Sequence, residues 1–369
     1  MTTQTLQKWN KVKLGQVLTL NYGKGLPARD RVDGEYPVYG SAGIVGSHNS
    51  FVAKGPGIVV GRKGSIGEIY LSKRNYYPID TAYYINSSDK YDIFFIYYLL
   101  KTLLLKTLNT DAAVPGLNRN VAYQQEFLLP NLPTQKQIAS ILSIYDDLIE
   151  NNTRQIQILE QMAQAVYTEW FVNFRFPGHE KVKMADSGTD FGKIPEKWEV
   201  MKLGNRINIS RGKNITQNTV EEGNIPVVAG GLEPAYYHST ANTEAPVVTV
   251  SASGANAGFV NLYMENIWAS DCSYIDRKST PYIFYYYLLL NTRQAEVTGM
   301  QRGSAQPHVY PKDLAELLVV NAPENLLKQF EEKINPIFKM IGNLKHRNKV
   351  LRESRDLLLP KLVTGKINV

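Results

Sequence analysis

With 369 residues, 43% of them hydrophobic and 20% charged, the chain can hold two domains with proper cores and has the composition of an ordinary soluble protein. Its single cysteine, Cys272, excludes an internal disulfide and a multi-cysteine zinc site and fits a reducing, cytoplasmic setting, and His48, His179, His238, His308 and His346 show no metal-ligand spacing. The net charge of +7 permits a polyanionic partner without requiring one.

Taken in order, the polar stretch Met1–Trp9 has no apolar signal-peptide core. Residues 12–88 are punctuated by Gly and Pro and rich in Val, Ile and Tyr, with strand-like pieces at Gly57–Val60 and Glu68–Leu71. The most apolar run, Ile93–Leu105, is broken by Lys101 and too short to span a bilayer, so it reads as a buried helix. A short apolar strand at Phe127–Pro130 and a proline exit at Pro133 lead into a long helical pattern. Residues 175–197 lack periodicity and carry Pro177, Gly178, Gly188 and Pro195, which marks a linker. The same order then recurs. A second Gly/Pro-punctuated region covers 201–276, with pieces at Ala245–Val250 and Gly258–Tyr263. The helix Tyr282–Leu290, the strand Leu317–Val320, the exit Pro323 and a second long helical pattern follow.

The recurrence is literal in places. Trp9, Lys13, Leu14, Gly15, Gly23 and Lys24 reappear 189 residues later as Trp198, Lys202, Leu203, Gly204, Gly212 and Lys213. Asp80 matches Asp271, and Tyr97 to Leu100 matches Tyr286 to Leu289. The offset far exceeds solenoid periods of roughly 20–50 residues, so each copy is a whole domain with its trailing helix. Two similar surfaces in one chain suit reading two places on one extended partner.

Both long patterns carry a seam of alternating four- and three-residue spacings. The first runs Ile138, Leu142, Tyr145, Ile149, Asn152, Ile156, Leu159, Ala163, Val166, Trp170. The second runs Leu327, Phe330, Ile334, Ile337, Ile341, Leu344, Asn348, Leu351, Arg355, Leu358, Leu362. Such seams specify a coiled coil, and an antiparallel pairing makes Asn152 and Asn348 candidate register-fixing residues. The alternative is that each helix packs on its own domain with the asparagines in water. Pro336 predicts a kink, or a restart capped by Asn335. The expected fold is α+β: recognition domains at 1–132 and 198–322, long helices within 133–174 and 323–369, and the linker 175–197 between them.

The chain now resembles a known family over essentially its whole length. The helix start Leu132-Pro133-x-Gln135-Lys136-Gln137-Ile138-Ala139 and the linker end Gly192-Lys193-Ile194-Pro195-x-x-Trp198 are similar to those of specificity subunits of type I restriction-modification enzymes. The second copy departs, with Pro-Glu-Asn-Leu-Leu at its helix start. The resemblance implies two target recognition domains, each reading one half of a split double-stranded DNA site, held apart by the helices. It implies docking of two methyltransferase subunits, with a separate motor-nuclease subunit that cuts. No cofactor is expected in this chain; S-adenosylmethionine, ATP and magnesium belong to those partners. The alternatives are a stand-alone DNA-binding regulator and a protein-only scaffold.

Residue types single out three groups of candidate DNA contacts. The loop Gly61 to Gly67 sets Arg62, Lys63 and Ser65 on a glycine-flanked turn, where arginine can fork onto guanine O6/N7. Its counterpart, Ser251 to Gly258, offers Ser253 and Asn256 and no cation; an ordinary hairpin turn is the alternative for both. The second group is Asn118, Arg119 and Asn120, with Gln301, Arg302 and Gln306 in the second copy. The alternative there is a loop capping the next element. The third is Lys24, Arg29 and Arg31, with Arg211 and Lys213, as phosphate contacts or plain surface cations. The tyrosines, clustered at 76–77, 83–84, 97–98 and 285–287, could stack or hydrogen-bond at DNA, but beside leucines at helical spacing they read as core, and none is assigned a role. The charged sides of the long helices (Asp146, Asp147, Glu150, Lys345, Arg347) are candidates for subunit docking or a solvated face. Catalysis is not expected of this chain: it has no Asn/Asp-Pro-Pro-aromatic segment to grip a target amine and no Gly-x4-Gly-Lys-Ser/Thr loop.

Overall fold

The computed structural model describes residues 9–109, 115–302 and 307–369, which leaves Gln306 and most of Met1–Trp9 outside the described residues. The chain forms two units, Met1–Asn151 with Arg347–Val369, and Asn152–His346. The division falls inside both long helices, so each unit owns one half of each.

In the first unit, a four-stranded antiparallel sheet runs in the order Asn21–Tyr22, Ala82–Asn86, Gly57–Gly61, Ile69–Ser72. A three-stranded sheet pairs Tyr36–Gly40 with Gly43–His48 antiparallel and with Tyr77–Pro78 parallel. Asn10–Lys13 pairs antiparallel with Glu126–Leu129. Gly57–Gly61 is buried at every position, which is why its sequence is a continuous apolar run. The helix Ile93–Thr102 covers the sheet; the Asp92 side chain caps it by accepting from Phe95 N–H at 2.9 Å.

The second unit repeats all three sheets in the same strand order. The four-stranded sheet is Ser210–Arg211, Cys272–Ile275, Val247–Ser251, Val260–Tyr263. The three-stranded sheet is Tyr236–His238, Ile225–Val228, Trp268–Ala269, and Glu199–Lys202 pairs with Leu318–Asn321. The recurring glycines have one cause. A Cβ on Gly23 would lie 2.1 Å from the Ile79 carbonyl, and one on Gly212 would lie 2.1 Å from that of Ser270. The linker differs from expectation: Met184–Asp186 and Lys193–Pro195 form a small antiparallel hairpin, turned by Gly188 and Gly192 at positive φ.

The first long helix, Leu132–Tyr167, starts where the Asn131 side chain accepts from Thr134 N–H at 3.0 Å, with Pro133 in its first turn. A π-helical turn, Thr168–Val172, extends it. The second, Glu324–Val363, stops before Gly365 at φ +71. Every seam residue is buried or half-buried, including Asn152 and Asn348. In the first unit Ile138 and Leu142 share a core with Leu359 and Leu362. There Arg355 pairs with Asp146, and Asn348 Nδ2 lies 3.5 Å from the Ile149 carbonyl, so the two half-helices run antiparallel. In the second unit Trp170 and Tyr167 meet Phe330, and Lys345 pairs with Glu160 at 3.5 Å, again antiparallel. The helix runs unbroken through Pro336. That residue lies on the exposed face, where water can take the carbonyl its missing N–H leaves over, while Ile334 and Phe338 stay buried.

The charged helix residues are engaged within their own units. Asp146 accepts from Tyr98 Oη at 2.7 Å as well as from Arg355. Asp147 and Glu150 both hold Lys73 at 2.8 Å. Arg347 is exposed. The Asp146–Arg355 pair is largely enclosed, so Arg355→Met should destabilise the first unit by about 1–2 kcal/mol, between surface and buried pairs. Thermal melts of R355M, D146N and the double variant test this. Strictly additive effects would mean that the two side chains are not coupled.

Among the described residues, no helix is long and apolar enough to cross a membrane.

Candidate nucleic-acid interface

In the first unit, the loop 61–67 joins two antiparallel strands, so the hairpin expectation and the candidate contacts coincide. Three glycines shape it. A Cβ on Gly61 would sit 2.0 Å from the Ser65 carbonyl, Gly64 has φ +74, and Gly67 has φ +66 against the Leu105 backbone. The loop is laced to a distant segment. Gly64 N–H donates to the Pro115 carbonyl at 3.0 Å, and Leu117 N–H donates to the Arg62 carbonyl at 2.9 Å. Arg62 and Lys63 are thereby brought beside Asn118, Arg119 and Asn120, which sequence spacing alone could not show.

These residues, with Tyr22, Tyr83, Gly116 and Leu117, line an open polar depression of about 250 Å³. The Arg62 guanidinium lies 4.9 Å from the Tyr22 ring centroid and that of Arg119 lies 5.0 Å from it. Arg62 Nη1 also donates to the Asp80 carbonyl at 2.8 Å. Tyr83 sets the floor, donating its hydroxyl to the Leu117 carbonyl at 3.0 Å; burial pushes its pKa up, so it stays a neutral donor. The Asn118 side chain caps the short helix Arg119–Tyr123, accepting from Asn120 N–H at 2.8 Å, as the capping alternative expects. Among the described residues that line it there is no carboxylate. Cations whose described neighbours in the lining include no carboxylate form a site for negative or acceptor-rich groups. Ser65 is exposed in the loop. Lys24 and Arg29 are exposed outside the depression, with Arg29 lying 3.7 Å from Asp30, and Arg31 is tied to the Val45 carbonyl at 2.7 Å.

The second unit builds the same junction from other side chains. Gly254 N–H donates to the Pro307 carbonyl at 3.2 Å, and Val309 N–H donates to the Ala252 carbonyl at 3.0 Å. Here Arg211 lies 5.1 Å from the Tyr310 ring centroid, His308 stacks on that ring at 5.5 Å, and Lys312 lies 5.7 Å away. The anticipated polar residues are turned inward. Ser253 Oγ bonds the Asp271 carboxylate, Asn256 Nδ2 reaches the Gly230 carbonyl at 3.3 Å, and Gln301 Nε2 reaches that of Ala257 at 2.8 Å. Arg302 pairs with the buried Asp313 at 2.8 Å. Lys213 is exposed, and its carbonyl takes the Trp268 indole N–H at 2.8 Å. Cys272 is buried, which pushes its thiol pKa up to about 12 and leaves it unreactive.

Sequence reasoning passed over Tyr22, Tyr83 and Tyr310. One signal was available: Arg211 stands at the repeat position of Tyr22, 189 residues on. The arginine–tyrosine contact recurs with its partners exchanged between the strand and the start of the short helix.

Against known proteins, residues 7–161 and 195–321 match the family model for the type I restriction modification DNA specificity domain. The type I restriction enzyme MjaIX specificity subunit of Methanocaldococcus jannaschii is 27% identical over 74% of this chain and 69% of its own length. The putative type I specificity subunit S.MpnORF638P of Mycoplasma pneumoniae is 22% identical over 97% of this chain and 96% of its own. The crystal structure of a type I restriction-modification S subunit from M. genitalium is similar in fold, with a TM-score of 0.67, 18% identity and 98% coverage of both chains.

Proposed function

Because the chain belongs to the type I restriction modification DNA specificity family, we propose that it reads a split, asymmetric DNA site through the two loop junctions, one on each unit, and leaves the chemistry to partner subunits. The observation that carries this reading is the depression around Arg62, Lys63 and Arg119, cationic and with no carboxylate among the described residues that line it, whose counterpart stands on the same scaffold with different side chains. One scaffold with two different reading edges suits a site whose halves differ; a symmetric homodimer would suit a palindrome. Junctions on one face of B-DNA would read half-sites centred about one turn apart, roughly 10–10.5 bp. The exposed cations Lys24, Arg29 and Lys213 suit phosphate contacts in this reading.

Two methyltransferase subunits would dock on the long helices, with a motor-nuclease subunit added for cleavage; S-adenosylmethionine, ATP and magnesium would sit on those partners. The docking surface is better supplied by exposed apolar residues than by the charges, four of which are paired within their units. Ile144, Leu148 and Leu357 in the first unit, and Ile158, Met162 and Met340 in the second, all stand open to water. The setting would be the cytoplasm, where the DNA is.

The test is methylome sequencing of cells carrying this gene with its methyltransferase partner, against a deletion, with complex assembly verified. The expected result is a methylated motif in two unlike parts that disappears on deletion. An unchanged methylome would overturn the assignment and turn attention to a regulator or scaffold.

A further inference from the structure

We propose that the depression of the first unit is a guanine-reading site, in which Tyr22 holds Arg62 and Arg119 as paired forks for the O6/N7 edge of a guanine in the major groove. The proposal rests on the DNA-reading assignment and adds the base that is read. Two guanidinium groups share one exposed ring, at 4.9 and 5.0 Å. Like charges oppose each other, so holding both there costs energy that the ring offsets. Each is also fixed from behind. The backbone of Arg62 is laced to Leu117, and its side chain is tied to the Asp80 carbonyl. Arg119 opens a helix that Asn118 caps.

The Nε of Arg119 is buried and meets no hydrogen-bond partner among the described residues. A free surface arginine avoids that cost by swinging into water; this one is kept at the rings of Tyr22 and Tyr123. A phosphate asks only for charge at the end of a flexible arm, which the exposed Lys24 and Arg29 supply. A planar fork with its orientation already set is what a two-acceptor base edge requires. In the second unit a single arginine among the described residues meets the ring, and Ser253 and Arg302 are held by Asp271 and Asp313, so the paired forks belong to the first unit alone.

The experiment uses the assembled complex of the full chain with its methyltransferase partner and measures binding to a randomised duplex library. Arg62→Lys and Arg119→Lys keep the charge and lose the fork. Each is expected to lower discrimination at one G·C position of one half-site by about tenfold or more. Tyr22→Leu should relax the same position, Tyr22→Phe should retain it, and all four variants should melt as the parent does, since Tyr22 is 48% exposed. A first half-site specified only by A·T pairs would overturn the proposal. So would lysine variants that weaken all sequences alike, the mark of a phosphate contact. If the parent complex shows no sequence selectivity at all, the DNA-reading assignment falls and the guanine site falls with it.

Discussion

Replacing Phe330 with alanine is expected to destabilise the second unit by about 3–5 kcal/mol, the range for removing a fully buried aromatic. Phe330 has no exposed surface, and its ring meets those of Tyr167, Trp170, Phe171 and Tyr285. These come from the first long helix with its π-helical turn and from the helix Ile283–Thr292. One ring therefore joins the globular part of the unit to both of its half-helices. The lost area explains only part of the cost; four large rings around one vacancy cannot all collapse inward without leaving their rotamers. Urea titration of the parent and F330A measures the difference. A loss below about 1 kcal/mol would mean that the cluster repacks and does not tie the unit together.

The second large effect is a pH dependence seated on Glu331. Its carboxylate comes from the second long helix and accepts the N–H groups of Phe284 at 3.1 Å and Tyr285 at 3.2 Å. It serves as a cap for a helix whose own first residues supply none. Burial nevertheless pushes its pKa from 4.5 up to about 7, outweighing those hydrogen bonds and the nearby Arg277. A folded pKa above the unfolded one favours the protonated folded form. The stabilisation is therefore complete below pH 4.5 and is lost as pH rises to about 7. The loss amounts to about 3 kcal/mol across that window. Glu331→Gln keeps an acceptor for the helix and removes the ionisation. Urea titrations across the window should show the parent losing stability relative to E331Q as pH rises; parallel curves would exclude Glu331 as the source.

Some of this was legible without coordinates. The repeat from Trp9 to Trp198 announced two copies of one architecture, and all three sheets recur in the same order. The helical seams were legible because each follows from local spacing: residue by residue, Ile138 to Trp170 and Leu327 to Leu362 are turned from water. What could not be read depends on long-range pairing. Nothing local places Lys63 beside Gly116, or Ser253 beside His308. Nor does local sequence show that Ser253 is spent on Asp271 and Arg302 on Asp313. Tyr22 carried no local signal that set it apart from the other tyrosines, and only the segments packed around it make it the platform for Arg62 and Arg119. At Pro336 local propensity predicted a break, and the packing of its neighbours prevailed.

The first unit is not built from one continuous stretch: Arg347–Val369 completes it. During synthesis, Ile138 and Leu142 leave the ribosome about 220 residues before Leu359 and Leu362, which share their core. At about 5–20 residues per second, that is some 10–40 seconds in which the side of this core that Leu359 and Leu362 close stays open. The nascent chain is therefore a client for any factor that shields hydrophobic segments, and a ribosome stalled anywhere in the second unit would display an N-terminal half unable to close.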